Sequence, residues 1–290
     1  MELTGDEVSR VEDAAALLGL GRPAWRPDRA AFRRGELDLS IALPALVRLL
    51  RDRTRAGVLL FDALALAGGL GIAPPPEALR DFDLLRPLLR PRLLHPRELT
   101  GPRRAMCRRE SVGGLMQAIA LGPEWTAPLV TSASLDRWPV SFEEALDLAL
   151  GAMRGAVTPN CVHELEDAPG VAAVVHPHEV VSSALPIVES LLPGQARDLG
   201  VVAAVPAPEV LLLLRVVPRD GVRTLAGLVD ASLGLYNQSN DPLHDQLVWW
   251  RDGRLEPLTM TFVQERGSRR VQFDAEGAVG DLLRILGAVD

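Results

Sequence analysis

The side chains best suited to hold a metal lie in two short segments near residue 170. Cys161 and His163 are two residues apart, as are His176 and His178, and a turn-like Asp-Ala-Pro-Gly sequence separates the pairs. If residue 166 pairs with residue 171 in a β-hairpin, all four side chains lie on one face. Because thiolate and imidazole groups bind zinc tetrahedrally, the pattern predicts a candidate zinc site. The spacing matches no named zinc motif, so the alternative is a histidine cluster at a hairpin end.

Two other groups could support hydrolysis. Asp241, His244 and Asp245 lie in one polar loop and could form an acid–base pair with an orienting carboxylate. The alternative for this loop is an ordinary turn into a strand. Ser182 and Ser183 follow a histidine and a glutamate, but the G-x-S-x-G elbow of a serine hydrolase is absent. Helix capping is therefore the favoured role for the two serines.

An arginine-rich section between residues 82 and 109 could bind an anion or a nucleic acid. Its charges are countered only by Asp83 and Glu98, and its four prolines exclude a long helix, so we expect short edge strands and loops. The alternative is a solvated face or a set of internal salt bridges. Nucleic acid is not favoured, since the chain as a whole is acidic. The arginines are Arg86, Arg90, Arg92, Arg97, Arg103, Arg104, Arg108 and Arg109.

Two adjacent tryptophans suggest a contact surface. Trp249 and Trp250 lie in a segment that is predicted to be a strand, and side chains alternate between the two faces of a strand. We therefore expect one ring to face the core and the other to face solvent or a partner protein. An exposed tryptophan is a common anchor of protein interfaces. The alternative is ordinary packing of an edge strand.

The composition excludes some classes of function. All 31 basic residues are arginine, which excludes lysine-anchored pyridoxal phosphate and the P-loop lysine. No cofactor motif is found, and the net charge of −7 comes from a mildly basic front and an acidic back. The two cysteines, Cys107 and Cys161, suit a reducing compartment. No signal-peptide pattern or apolar run of membrane-spanning length is present, so we expect a cytoplasmic protein.

Local signals define several helices. Thr4 with Glu7, and Ser141 with Glu144, each have the spacing of a capping box, and Thr224 is a candidate helix cap. Apolar residues at helical spacing follow each of these signals. The predicted helices cover residues 4–19, 44–50, 56–69, 142–154, 180–192, 225–235 and 279–286.

The strand signals complete the predicted fold. Asp252-Gly253 is the strongest hairpin signal, because this dipeptide adopts the turn that joins two neighbouring strands. The pattern predicts an α+β fold with mixed, mainly antiparallel sheets packed with helices, in two lobes of residues 1–128 and 129–290. The predicted strands cover residues 36–42, 113–121, 161–166, 171–176, 199–205, 211–217, 247–251 and 255–259, with two more between 261 and 273.

Several passages of the sequence together resemble one protein family. The resemblance lies in GELDLSIALPALVRLL, FDLLRPLLRPR, SSALPIVESLL with VVAAVPAPEVLLLL, and DPLHDQLVWWRDGRL. The most recognisable passage is VTSASLDRWPVSFEEALDLAL, a threonine-to-tryptophan connector followed by a helix. Together these passages resemble the YtpQ-type bacterial family, whose function is unknown. Because the family has no established activity, the resemblance implies only a fold and a bacterial cytosolic setting.

Three hypotheses of function follow. The leading one is a non-enzymatic cytosolic protein that acts through contacts with a protein partner, because no convergent catalytic set accompanies the core pattern. The first alternative is a metal-dependent or hydrolytic enzyme that uses the 161–178 cluster or His244. The second is an anion or nucleic-acid binder that uses the section Arg86 to Arg109.

Overall fold

The computed structural model describes residues 3–51, 59–70, 74, 79–100, 104–123, 125–192, 199–218, 221–265, 268–274 and 276–288. Over these residues the chain has the predicted α+β fold, with four antiparallel sheets packed with helices. None of the described helices is both long enough and apolar enough to cross a membrane.

In the described residues, groups of α-helices and groups of strands follow one another along the chain. The helices are α1 (Gly5–Leu17), α2 (Leu43–Arg51), α3 (Leu59–Gly69), α4 (Phe82–Leu85), α5 (Ser132–Leu135), α6 (Phe142–Ala156), α7 (Val188–Leu191), α8 (Gly221–Gln238) and α9 (Gly277–Ile285). The first strands are β1 (Ala24–Trp25), β2 (Arg29–Arg34), β3 (Leu37–Ala42), β4 (Leu89–Leu94), β5 (Arg108–Glu110), β6 (Met116–Leu121) and β7 (Val162–Glu164). The later strands are β8 (Val171–Val174), β9 (Val201–Ala207), β10 (Val210–Arg215), β11 (Leu247–Arg251), β12 (Arg254–Leu258), β13 (Met260–Glu265) and β14 (Ser268–Phe273).

The chain divides into two compact units that each draw on several segments. The first unit comprises Met1–Arg90, Leu99–Arg108 and Ala118–Ala149. The second unit comprises Pro91–Glu98, Arg109–Gln117 and Leu150–Asp290. The lobe boundary expected near residue 128 stays a prediction.

The first unit contains a core between α1, α3 and the sheet β1-β2-β3. The capping box predicted for α1 is confirmed, because Thr4 accepts the N–H of Glu7 and Glu7 accepts that of Thr4. α3 carries a buried carboxylate, Asp62, which receives two hydrogen bonds of 2.7 and 2.9 Å from the guanidinium of Arg10 in α1. This ion pair links the two helices. It also compensates the buried charge of Asp62, since burial of a carboxylate without a partner would cost folding free energy.

The second unit is built on a six-stranded sheet with the order β12-β11-β9-β10-β8-β7. β9 is buried along its whole length, as expected for a continuous apolar run in a central strand. Val202, Leu212 and Trp249 point to one face and pack in a core with Leu228 of α8 and Leu282 of α9.

The second face of the sheet is also covered. Val201, Ala203 and Leu213 alternate with the first set and are buried as well. The 3-10 helix Val181–Ile187 contacts β9 and β10. Because both faces are covered, the central strands carry apolar residues at every position.

The remaining strands form two smaller sheets. β13 and β14 form a two-stranded hairpin, and β4, β5 and β6 form a three-stranded sheet with the order β4-β6-β5. Both strands predicted between residues 261 and 273 are thus confirmed.

Three predicted helices differ from the observed ones. α8 begins at Gly221, so Thr224 lies inside the helix instead of capping it. Gly221 itself packs closely against Leu286. The predicted helix over residues 180–192 is mostly a 3-10 helix, because Pro186 cannot donate the N–H that an α-helix requires. The capping box at Ser141 and Glu144 is confirmed, but α6 extends past Gly155 to Ala156.

Candidate functional site

The hairpin that carries the predicted zinc ligands has a different register from the expected one. In β7 and β8, His163 is opposite Ala173 and Val162 is opposite Val174, so the predicted pairing of residue 166 with residue 171 is wrong by one residue. A shift of one residue moves every side chain of one strand to the other face. If the observed register is continued, residue 161 is opposite residue 175. Cys161 and His163 then lie on one face of the hairpin and His176 on the other.

His176 and His178 lie beyond the end of β8, where they form a turn. The Nδ1 atom of His176 accepts the backbone N–H groups of His178 and Glu179 at 3.2 and 3.0 Å. The two imidazole rings stand edge to face with their centroids 6.2 Å apart. In the part of the chain that the structure describes, no three His, Cys, Asp or Glu side chains are arranged to hold a metal ion. The four predicted ligands are therefore not gathered into a metal centre.

Neither tryptophan of β11 is exposed. Trp249 is 0% exposed and Trp250 is 7% exposed. Trp249 donates its indole N–H to the carbonyl of Leu199 at 3.0 Å, and the guanidinium carbon of Arg251 lies 4.3 Å from its ring centroid. The prediction that one ring faces solvent is wrong, because β11 lies inside a sheet that is covered on both faces.

The arginines of the arginine-rich section differ in burial and in hydrogen bonding. Arg92 is only 1% exposed and Arg103 lies outside the described residues, whereas five others are exposed: Arg86, Arg97, Arg104, Arg108 and Arg109. Several of the other guanidinium groups donate to oxygen atoms of the protein itself. Arg90 donates to the carbonyls of Pro87 and Leu89, Arg108 to those of Arg104 and Met106, Arg97 to that of Pro242, and Arg109 to the side chain of Gln117.

The two serines are buried inside the 3-10 helix and do not cap it. The hydroxyl of Ser183 accepts the backbone N–H of Leu93 at 3.1 Å. Among the residues that the structure describes, the buried hydroxyl of Ser182 has no hydrogen-bond partner, although its backbone N–H donates to the carbonyl of Pro208. The capping role predicted for them is wrong, because the helix begins before both residues, at Val181.

His244 is the candidate base that the fold surrounds most completely. Its ring is 5% exposed, with Nδ1 3.2 Å from the carbonyl oxygen of Gln246 and Nε2 3.0 Å from that of Gly113. A neutral imidazole carries one N–H and can donate to one of these carbonyls, whereas an imidazolium can donate to both. Gly113 has a φ of +63°, and a Cβ atom there would lie 2.9 Å from the ring. Both ring nitrogens thus lie beside backbone carbonyl oxygens.

A second histidine, which the sequence analysis did not select, lies near His244. Burial, Arg97 and His244, in that order, lower the pKa of His95, while Asp245 opposes the shift. His95 accepts the N–H of Arg97 at Nδ1, 3.1 Å away, and donates its own backbone N–H to Glu98 at 2.9 Å. The sequence could have indicated this arrangement. In His-Pro-Arg-Glu, proline and glutamate occupy the first and third positions of a helical turn, which is typical of a helix start.

Asp245 does not orient His244. Its carboxylate accepts the side-chain amide N–H of Gln246 at 3.1 Å, and the other end of that amide accepts the backbone N–H of Met260 at 2.6 Å. Asp241 is exposed and donates its N–H to the hydroxyl of Ser239. The loop therefore holds backbone groups in place, and no base–carboxylate pair is formed around His244.

One edge of β13 pairs with no other strand among the described residues, and the hydrogen bond between Met260 and Gln246 shows which edge this is. β13 pairs with β14 from Met260 opposite Phe273 to Glu265 opposite Ser268, and within the described residues no third strand pairs with either. The N–H of Met260 points away from β14, because it donates to the Gln246 side chain. Backbone N–H groups alternate in direction along a strand, so those of Phe262 and Gln264 point the same way. The sequence predicted these strands but not this edge.

The hairpin is anchored on one side only. Met260 is buried, and Val271 and Phe273 pack against the core of the second unit. Thr261 and Gln272 on the opposite face are exposed, and Val263 is 36% exposed. A two-stranded hairpin is marginally stable by itself, and these contacts supply the missing support.

Comparison of the chain with protein-family models, with curated proteins and with solved structures found no match. The resemblance to the YtpQ-type family stays a prediction.

Proposed function

We propose that this protein is a non-enzymatic interaction module that receives an extended segment of a partner protein on the free edge of β13. The observation that supports the proposal is the outward direction of the N–H groups of Phe262 and Gln264. An unpaired strand edge is a template for an added strand, and main-chain hydrogen bonds supply the affinity of such complexes.

The position of the edge supports an extended polypeptide as its occupant. β12 and β13 are separated only by Thr259, so the side of β12 that pairs with β11 continues into the free side of β13. A strand added there would extend the line of β11. Pro257 lies on β12, which is an edge strand of the six-stranded sheet. Edge strands tolerate proline, although it has no N–H to donate.

The engagement of the histidines favours this proposal over the enzyme hypothesis. His244 has both ring nitrogens beside carbonyl oxygens, and Nδ1 of His95 and of His176 accepts backbone N–H groups. A general base must instead reach the proton that it removes from a substrate. The anion-binding hypothesis is not favoured, because the guanidinium groups of the arginine-rich section are mostly engaged by protein oxygens.

The proposed setting is the cytoplasm. Cys107 is buried and Cys161 half-buried, and both are free thiols. Free thiols are typical of proteins in reducing compartments.

The test compares two substitutions at one position of the edge. Gln264→Pro removes an outward N–H without removing a hydrogen bond to β14, whereas Gln264→Ala keeps that N–H. Wild-type protein and both variants are used to capture partners from native lysate, and the retained proteins are quantified. We expect one protein that wild type and Gln264→Ala retain equally and that Gln264→Pro loses at least ten-fold, which is about 1.4 kcal/mol.

Folding of the variants is checked by circular dichroism and thermal unfolding. The proposal is overturned if all three proteins retain the same partners to the same extent, or if none of them retains any. It is also overturned if the purified wild-type protein turns over a small molecule and Gln264→Pro keeps that activity in full.

A further inference from the structure

The free edge of β13 begins at a defined residue, because the ladder between β11 and β12 stops abruptly. In this ladder Leu247 is opposite Leu258, so a continued β11 would place Asp245 opposite Met260. The chain instead turns towards β9, where the N–H groups of Leu243 and His244 donate to the carbonyls of residues 206 and 205. The backbone of this segment therefore leaves the N–H of Met260 without its ladder partner.

The side chain of Gln246 takes the place of that missing partner. Its Oε1 atom accepts the N–H of Met260 at 2.6 Å, and its Nε2 atom donates to Asp245 at 3.1 Å. The orientation of the amide follows from the chemistry, since an N–H needs an acceptor and a carboxylate needs a donor. The backbone carbonyl of Gln246 also lies 3.2 Å from Nδ1 of the buried His244. Gln246 is therefore held in both its main chain and its side chain.

From this geometry we infer that Gln246 is a positioning residue that sets the register of an added strand. The inference rests on the strand addition proposed above. Gln246 fills the first outward donor of β13, so the first carbonyl of an incoming strand meets the N–H of Phe262 and a later one meets that of Gln264. Without the Gln246 amide, the incoming strand can also pair with Met260, which lies one outward position earlier.

Amide hydrogen exchange measured residue by residue tests this inference. In the free wild-type protein we expect slow exchange at Met260 and fast exchange at Phe262 and Gln264. Gln246→Leu removes the acceptor and should speed exchange at Met260 on the order of ten-fold, as for the loss of one hydrogen bond. The double variant Asp245→Asn with Gln246→Glu is the matched control, because it keeps an acceptor oxygen for Met260 and a donor–acceptor pair between residues 245 and 246. It should preserve slow exchange at Met260.

The decisive measurement uses the protein that Gln264→Ala retains and Gln264→Pro loses. Its complex with wild type should protect Phe262 and Gln264 while the exchange of Met260 stays unchanged. Its complex with Gln246→Leu should protect Met260 as well. The double variant should show the wild-type pattern, and this comparison can be made even if Gln246→Leu fails to fold.

The outcomes separate the two proposals. If no complex protects Phe262 and Gln264, strand addition itself is overturned. If those two amides are protected identically in complexes of wild type and Gln246→Leu, and Met260 never is, then strand addition stands and the role of Gln246 is overturned. Fast exchange of Met260 in the free wild-type protein also overturns that role.

Discussion

The hairpins at the two edges of the six-stranded sheet are built on different turns. The hairpin of β11 and β12 closes through Asp252 and Gly253, whose φ angles of +51° and +77° match the twist of the strands. The hairpin of β7 and β8 closes through six residues, in which Ala168 is buried and Gly170 has a φ of +82°. A two-residue turn fixes which residues are opposite each other, whereas a longer turn allows more than one pairing.

The two hairpins also differ in what surrounds them. Every residue of β11 is buried except Arg251, whereas His163 and Glu164 of β7 are exposed. A substitution in the first hairpin therefore disturbs the core of the second unit, and one in the second hairpin disturbs mainly its own turn. The following predictions test this difference, from the largest expected effect to the smallest.

Trp249→Ala should destabilise the protein by about 3–5 kcal/mol, because it leaves a large cavity and an unpaired carbonyl at Leu199. His163→Ala, in the opposite edge strand, should change the free energy of unfolding by no more than about 0.5 kcal/mol. Trp249→Phe keeps much of the packing and should fall between the two. Chemical denaturation measures all three. Equal effects of Trp249→Ala and His163→Ala would show that the two hairpins contribute alike to stability.

Gly170→Ala should cost more than Gly253→Ala, although both positions have positive φ. A Cβ atom at Gly253 meets open space, so the expected cost is the backbone strain of about 1–2 kcal/mol. A Cβ atom at Gly170 would also lie 2.8 Å from Cγ2 of Thr224. Adding Thr224→Ser, which removes that methyl group, should bring the cost of Gly170→Ala down to that of Gly253→Ala. Thermal unfolding of the single and double variants measures this, and additive effects would contradict it.

His95, next to the loop that leads into β11, should make stability depend on pH. Its pKa is lowered in the folded protein, chiefly by burial, so the unfolded chain binds the proton more readily. Stability should therefore fall as the pH drops below about 6.5, the ordinary value for histidine, towards the lowered pKa. His95→Gln should remove this part of the slope, and Arg97→Gln should reduce it. Denaturant unfolding between pH 5 and pH 8 measures the slope, and an unchanged slope in His95→Gln would contradict the prediction.

The cysteines should differ in reactivity without any change in stability. Burial raises the pKa of the Cys107 thiol, which keeps it protonated and unreactive. Cys161 is half-buried beside the exposed strand β7 and should react first with a thiol reagent at pH 8. Single Cys→Ser variants assign the two rates. Equal rates in the folded protein would mean that the edge at β7 is as closed as the site around Cys107.

The features that could be predicted from the sequence are those set by a few neighbouring residues. The capping boxes of Thr4 and Ser141 and the turn at Asp252-Gly253 depend on side chains no more than three positions apart. Alternating or continuous runs of apolar residues likewise predicted β3 and the strands of the six-stranded sheet. These signals act locally, so no knowledge of the rest of the fold is needed.

The features that could not be predicted depend on distant parts of the chain. The burial of Trp250 requires the cover on the second face of the sheet, and the setting of His244 requires Gly113, more than a hundred residues earlier. The register of β7 and β8 was open because no short turn fixed it. The free edge of β13 is deduced from the direction of the Met260 N–H, which donates to the side chain of Gln246 on another segment.

The ion pair between Arg10 and Asp62 constrains how the first unit can diverge. The Asp62 side chain is 4% exposed, so loss of Arg10 alone leaves a buried charge without compensation. The Arg10 side chain is 25% exposed, so its guanidinium stays partly hydrated when Asp62 alone is lost. We therefore expect a neutral substitution of Arg10 to destabilise the first unit unless Asp62 changes as well, and a neutral substitution of Asp62 to cost less. In any set of homologous chains, we expect these two positions to vary as a pair.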